Sequence, residues 1–284
     1  MSTKVESARP TRFTAQHLRK EQDGRLYNDV QNDYALPADQ EEAERLNSQH
    51  KALIILFGSL VPEPLKSSLL SQSSPRILDV GCGTGIWSLE VAQELPQARV
   101  TGVDLVSINP PNYPSNVKFE KRDILEDFPK GWEGSFDLVH ARYLIAGIRD
   151  FSLLLSRLTR LLKPQGHLII IEPRAQFYTN GADVRQVCPR TSRLIAVVQE
   201  AMDRLGIDPN PGKKVSAYLR ENTEYQDVTA QTLDMPLSPR SDDPKLFQMG
   251  LAHLPNSLSL PGFPTIDSRE KLVLPVWLIW ATRK

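Results

Sequence analysis

The spacing of apolar residues along the chain changes its period near Pro75. Between Asp39 and Phe57, apolar residues recur at intervals of three and four, which is the spacing of an amphipathic helix. Asp39 stands where it can cap this helix, with Glu42 at the third helical position. After Pro75, short apolar runs alternate with helical patterns, as a parallel sheet with crossover helices requires. The pattern therefore predicts a helical segment ahead of an α/β fold.

The part after Pro75 contains five apolar runs that predict parallel strands, namely RILDV, ARVTGVDL, VKFEKRD, SFDLVHAR and GHLIIIEP. Runs as apolar as the last one are typical of strands that are buried on both faces. Helices are expected over residues 85–95, 151–162 and 191–205. Two later strands are expected at YQDVTAQTLDMPL and KLVLPVWLIWATR, with a Pro- and Ser-rich insertion over 238–267 between them. An insertion of that length is typical of a lid or a substrate wall.

These patterns predict how the chain is divided. We expect a flexible N-terminal arm over 1–25, a helical cover over 26–74, a ligand-binding core over 75–173, and a substrate lid with the final strands of the same domain over 174–284.

Composition narrows the classes of partner. The 284 residues include 34 basic and 34 acidic side chains, so the chain has no excess positive charge that would favour the binding of nucleic acid. We therefore expect no nucleic-acid substrate. The two cysteines fit a reducing compartment, and no run approaches the roughly 20 apolar residues of a membrane span. We expect a cytoplasmic protein without a membrane partner, with a nuclear location as the alternative.

The stretch ILDVGCGTGIW resembles at first the glycine loop of a dinucleotide enzyme. The pattern G-x-G-x-x-G begins at Gly81 and Gly83 but requires a third glycine where this chain has Ile86. Asp79, two residues before the loop, would repel a pyrophosphate. The loop is better suited to a nucleoside ligand that carries a cationic amine and no phosphate.

Further acidic residues follow the next strands. Asp104 ends the second strand, where a carboxylate can accept hydrogen bonds from both hydroxyls of a ribose. Asp123, followed by the apolar Ile124, comes after the third strand and can accept from an adenine amine. Because the carboxyl ends of parallel strands meet at one edge of the sheet, we expect these groups to share a crevice with His140 to Tyr143 at the end of the fourth strand.

The glycine loop after Asp79, followed in turn by Asp104, Asp123 and the strand SFDLVHAR, forms an order of motifs that closely resembles that of the class I methyltransferases, which use S-adenosylmethionine. The resemblance covers about residues 75–173 and returns in the final strand. It implies a Rossmann-like sheet of about seven strands whose last strand is antiparallel, with an N-terminal helical cover and a lid insertion. It also implies a set of cofactor-binding residues: Asp79, Gly81, Cys82 and Gly83 at the methionine part, Asp104 and Leu105 at the ribose, Asp123 and Ile124 at the adenine, and His140 and Ala141 after the fourth strand.

The segment YALPADQEEAERLNSQHKAL, together with GTGIW, is similar to the LaeA-like methyltransferases of filamentous fungi. In that family such a segment lies over the cofactor, which makes Tyr34, Arg45 and His50 further candidates. For His50, a buried structural role is the alternative.

The resemblance implies an enzyme that methylates a small molecule of fungal secondary metabolism, with an oxygen, nitrogen or sulfur acceptor left open and no metal ion. His140 is the candidate general base, although its position often serves the cofactor through its backbone. Two alternatives stay open: a nuclear regulator that acts through protein partners, as LaeA-like proteins include, and a scaffold that binds the cofactor without transferring its methyl group.

Overall fold

The computed structural model describes residues 18–20, 24–28, 37–106, 113–179, 182–183, 189–237 and 272–284. Two predicted features, Tyr34 and the lid over 238–267, lie outside these ranges. Within the part of the chain that is described, no helix combines the length and apolarity needed to cross a membrane.

Six helices are described: α1 Gln40–Phe57, α2 Glu63–Leu70, α3 Ile86–Glu94, α4 Phe151–Leu161, α5 Pro189–Arg204 and α6 Pro211–Glu221. Eleven strands accompany them: β1 Leu18–Lys20, β2 Leu26–Asn28, β3 Arg76–Val80, β4 Arg99–Asp104, β5 Val117–Lys121, β6 Phe136–Arg142, β7 Leu162–Pro173, β8 Tyr178–Thr179, β9 Ala182–Asp183, β10 Tyr225–Pro236 and β11 Leu272–Arg283.

The main sheet has the predicted architecture. Its described strands lie in the order β5-β4-β3-β6-β7-β11, and β10 pairs with the other edge of β11. Strands β3 to β7 are mutually parallel, whereas β11 runs antiparallel to both of its long neighbours. The seven-strand core with an antiparallel last strand is thus confirmed. The short strands β8 and β9, which the sequence pattern did not predict, extend this sheet beside the start of β11.

Helices cover both faces of the sheet. On one face, α1, α2 and α3 bury Leu53, Leu65 and Trp87 against β3 and β4. On the other face, α4 and α6 bury Leu154 and Val215. The apolar stripe of α1 therefore packs on the core, as its period predicts, and its capping residue Asp39 accepts a hydrogen bond from the Glu42 amide at 3.0 Å, also as predicted.

Part of the region predicted to be a flexible arm over 1–25 lies in a described strand, and the flexibility of the arm stays a prediction. Strand β1 pairs with β2 in an antiparallel hairpin. The Arg25 guanidinium also forms a bidentate ion pair with Asp39, at 2.6 and 2.8 Å, which attaches this hairpin to the start of α1.

Candidate functional site

A pocket opens at the carboxyl ends of β3, β4, β5 and β6. Its walls come from the cover helix α1, from the glycine loop, and from the segments that follow β4, β5 and β6. The lining residues are Leu46, Gln49, Gly81, Cys82, Gly83, Thr84, Asp104, Leu105, Val106, Arg122, Asp123, Ile124, Leu125, Arg142, Tyr143, Leu144, Gly147 and Ile148. Seven predicted ligand contacts are therefore brought together: Gly81, Cys82, Gly83, Asp104, Leu105, Asp123 and Ile124.

The glycine loop turns sharply between β3 and α3. Gly81 has a φ of 66°, in the left-handed region, and a Cβ atom at this position would overlap the Leu144 side chain. Gly85, with a φ of 76°, is the N-cap of α3, so Ile86 is the first residue of the helix. Only glycine accommodates both constraints at Gly81, and the loop backbone consequently forms one wall of the pocket.

Asp104 links β4 to the loop and faces the pocket. Its carboxylate accepts hydrogen bonds from the Gly83 amide at 2.8 Å and from the Val106 amide at 3.2 Å. Burial raises the pKa of Asp104 to about 6, even though these amides favour the ionised form. Across the pocket, Asp123 accepts from the Leu125 amide at 2.8 Å, which fixes the turn after β5.

Asp79 and His140 lie next to each other but do not line this pocket. Asp79 is 1% exposed; its carboxylate accepts from Ser88 Oγ at 2.6 Å and from His140 Nδ1 at 2.8 Å. Trp87 stacks on the His140 ring, with 3.7 Å between the centroids. Each Asp79 oxygen therefore accepts a hydrogen bond from the protein, and the contact of Asp79 with the cofactor stays a prediction.

His140 does not line the pocket either, and its role as a general base stays a prediction. Its side chain is fully buried beneath Trp87, and burial lowers its pKa. Its Nε2 atom is buried and has no hydrogen-bond partner among the described residues. Ala141, on the opposite face of β6, is buried in the core that packs against α4 and also does not line the pocket. Both residues lie at the end of β6 as predicted, but their side chains point into the two hydrophobic layers.

On α1, Arg45 and His50 lie near the pocket without lining it. Arg45 forms a bidentate ion pair with Glu42 on its own helix, at 2.7 and 2.8 Å. His50 is buried, with Nδ1 2.8 Å from an Arg142 guanidinium nitrogen and Nε2 2.8 Å from Glu90 Oε2. Since a guanidinium only donates, Nδ1 must accept and Nε2–H must donate to Glu90. This tautomer is neutral, in agreement with the burial that lowers the pKa of His50.

Sequence reasoning missed several residues of the site. Leu144, Gly147 and Ile148 line the wall beyond β6, next to Arg142 and Tyr143, which belong to the stretch that was expected to face the crevice. The buried carboxylate of Glu172 accepts from the Leu144 amide at 2.7 Å and the Ile145 amide at 3.2 Å, so it holds this wall in place. A charged residue at the end of an apolar run, as in IIIEP, was the available signal for Glu172.

Comparison with known proteins agrees with this geometry. A family model described as a methyltransferase domain matches residues 71–223. The chain is 30% identical over 225 residues to the N-methyltransferase gliN of Aspergillus fumigatus, and the match covers 78% of each chain. It is 31% identical over 241 residues to a Coprinopsis cinerea protein named secondary metabolism regulator laeA, covering 80% of this chain and 58% of that protein. The chain thus spans less than two thirds of the length of the Coprinopsis relative.

Among solved structures, the phosphoethanolamine N-methyltransferase 2 of Haemonchus contortus has a TM-score of 0.50 and 16% identity, covering 91% of this chain and 61% of that one. A likeness at this level concerns the fold alone. It agrees with the parallel sheet and antiparallel last strand described above.

Proposed function

The chain belongs to the class I S-adenosylmethionine-dependent methyltransferases and resembles their LaeA-like members, and from this premise we propose that it methylates a small molecule of fungal secondary metabolism. The observation that carries the proposal is the convergence of the glycine loop, Asp104 and Asp123 on one pocket. The similarity to gliN, a protein named as an N-methyltransferase, supports the same class of reaction.

The residues of the pocket fit the cofactor. Asp104 presents a carboxylate for the ribose hydroxyls, and Asp123 with Ile124 presents a carboxylate beside an apolar surface for the adenine. Gly81 and Gly83 also line the pocket, beside Leu144 and Leu46. When bound, S-adenosylmethionine supplies a methyl group that is already activated on a sulfonium.

The protein's contribution to the reaction is then alignment and exclusion of water. Apolar side chains of α1 and of the segment after β6, including Leu46, Leu144 and Ile148, line the pocket. Orientation of this kind can supply about 7–11 kcal/mol of the barrier reduction for a bimolecular reaction. The described residues place no histidine in the pocket, so the proposal assigns the protein no general base.

The division of the chain expected from its sequence remains part of the proposal. Residues 75–173 supply most of the pocket, and the cover segment contributes Leu46 and Gln49. The lid role of residues after Pro173, the cytoplasmic location and the roles of Arg45 and Tyr34 at the cofactor stay predictions. A role as a nuclear regulator with protein partners is the second candidate, which the similarity to the Coprinopsis laeA protein favours.

The experiment that separates these functions follows a labelled methyl group. The full chain and methyl-deuterated S-adenosylmethionine are incubated in two parallel reactions. One reaction contains a small-molecule extract of a filamentous fungus, and the other contains a protein extract of the same fungus. We expect deuterium in a small molecule, detected by mass spectrometry, and none with heat-denatured enzyme. Label confined to the protein fraction would support the regulator instead, and cofactor that binds without being demethylated would support a scaffold.

A further inference from the structure

Arg142 combines two properties that no assigned role explains. It lies at the carboxyl end of β6 and lines the pocket, and its guanidinium is held from behind by His50 Nδ1 at 2.8 Å. Burial lowers the pKa of Arg142, but a guanidinium in a protein remains charged. The pocket therefore contains a fixed positive charge.

The carboxylates near this charge are already engaged. Asp79 accepts from Ser88 and His140, and Glu90 accepts from His50. Within the described ranges, no carboxylate forms an ion pair with Arg142; its hydrogen-bond partner there is a neutral imidazole. A partly buried cation without a paired anion is costly, so the open side of the guanidinium is suited to an anionic ligand group.

The position of Arg142 indicates which group of the cofactor that is. Asp104 and Asp123 repel an anion, and they occupy the nucleoside part of the pocket. Arg142 and the glycine loop share the remaining wall with α1. The α-carboxylate is the one negatively charged group of S-adenosylmethionine, and a guanidinium matches a carboxylate with two parallel hydrogen bonds.

We propose that Arg142 binds the α-carboxylate of S-adenosylmethionine and that His50, which hydrogen-bonds both Arg142 and Glu90, is the residue that positions it. This inference rests on the proposed function. His50 consequently acts through Arg142 without touching the cofactor, in contrast to the direct contact that the family resemblance implied.

The test for Arg142 compares two ligands that differ in one group. S-adenosylhomocysteine has the α-carboxylate, and its decarboxylated analogue keeps the amine and lacks only that group. Isothermal titration calorimetry of the full chain should show that Arg142→Met weakens binding of S-adenosylhomocysteine about ten- to hundredfold while the analogue binds as it does to wild type. Arg142→Lys retains the charge but not the paired geometry, so its affinity for S-adenosylhomocysteine should lie between those of wild type and Arg142→Met.

Each outcome of this titration decides a different claim. Equal loss for both ligands, or no loss for either, would overturn the role of Arg142. If Arg142→Met does not fold, Arg142→Lys gives the same comparison with the charge kept. Failure of wild type to bind S-adenosylhomocysteine would instead overturn the proposed function.

The test for His50 uses two variants that differ in what they offer Arg142. His50→Asn places an acceptor oxygen near the position of Nδ1, whereas His50→Leu removes it. We expect His50→Asn to retain S-adenosylhomocysteine affinity within about threefold and His50→Leu to lose about tenfold, with the decarboxylated analogue unaffected in both. A merely structural role would weaken both ligands together, and failure of the Asn variant to restore affinity would contradict positioning through Nδ1.

Discussion

Asp104 is the residue on which the cofactor affinity should depend most visibly. In the proposed complex its carboxylate accepts hydrogen bonds from two ribose hydroxyls, and these bonds are strongest when the carboxylate is ionised. Burial raises the pKa of Asp104 to about 6. Affinity for S-adenosylhomocysteine should therefore be constant near pH 8 and fall by up to about tenfold per pH unit below 6. Calorimetry over pH 5 to 8 measures this dependence.

Asp104→Asn is the matched control, because it differs by one atom and does not titrate. It should bind more weakly at pH 8, since its amide would face the Gly83 N–H donor, and its affinity should lack the added loss below pH 6. A wild-type profile that parallels that of the Asn variant would show that another group causes the pH dependence.

Glu172 should make the fold less stable as pH rises. Burial raises its pKa to about 8, from an ordinary value of 4.5. Between these values the native state binds a proton that the unfolded state lacks, so the free energy of unfolding falls by up to about 1.4 kcal/mol per pH unit. Urea denaturation at pH 5 and pH 8 should show a larger fall for wild type than for Glu172→Gln, which cannot titrate. Parallel changes in the two proteins would contradict this assignment.

The sequence pattern predicted some residues of the site correctly and could not predict others. The spacing of acids after successive strands placed Asp104 and Asp123 in the pocket, because the carboxyl ends of parallel strands meet at one edge. It could not show that Asp79 and His140 satisfy each other, since they are 61 positions apart and meet only when β3 and β6 pair. Glu172 was missed because it ends a run that has the pattern of a buried strand.

At the scale of elements, helix α1 is the part of the N-terminal cover that contacts the glycine loop. Thr84 Oγ1 donates to Asn47 Oδ1 at 2.7 Å, and Leu46 of the same helix lines the pocket. Asn47→Ala should weaken S-adenosylhomocysteine binding about fivefold, which corresponds to roughly 1 kcal/mol for one hydrogen bond. Titration calorimetry measures the change.

Ser48→Ala is the control on the same helix. Its hydroxyl is exposed and donates to the Glu44 carbonyl of its own turn, so its loss should leave cofactor binding unchanged. Equal effects of the two substitutions would mean that α1 is only packing, remote from ligand binding.

The elements themselves were largely predictable. Strand β3 was predicted to the residue, and the capping of α1 by Asp39 was predicted correctly. Helix α6 was missed although Pro211 begins it and Val215 and Leu219 are buried at helical spacing. Its packing depends on a long-range contact, in which Trp277 lies so close to Gly212 that a Cβ atom there would overlap the indole. A single-sequence pattern does not reveal such a contact.

At the scale of the whole molecule, two helical layers cover a mixed sheet, and the pocket lies at the edge where its parallel strands end. The architecture alone does not select a ligand, because dinucleotide-binding and S-adenosylmethionine-binding proteins both use this edge. The discriminating features are the start of α3 at Ile86, where a dinucleotide loop needs glycine, and Asp123 after β5. Asp104 after β4 does not discriminate, because dinucleotide-binding proteins also have an acid there that binds the ribose. Arg142 does not add to this distinction, because a guanidinium can bind either a carboxylate or a phosphate.

The most direct test of the account is therefore a calorimetric titration of the full chain at pH 8 with S-adenosylhomocysteine and, separately, with NAD⁺. We predict saturable binding of S-adenosylhomocysteine and affinity for NAD⁺ at least about a hundredfold weaker, a difference of roughly 2.8 kcal/mol. Comparable affinity for the two ligands, or tighter binding of NAD⁺, would contradict the assignment of this pocket to S-adenosylmethionine.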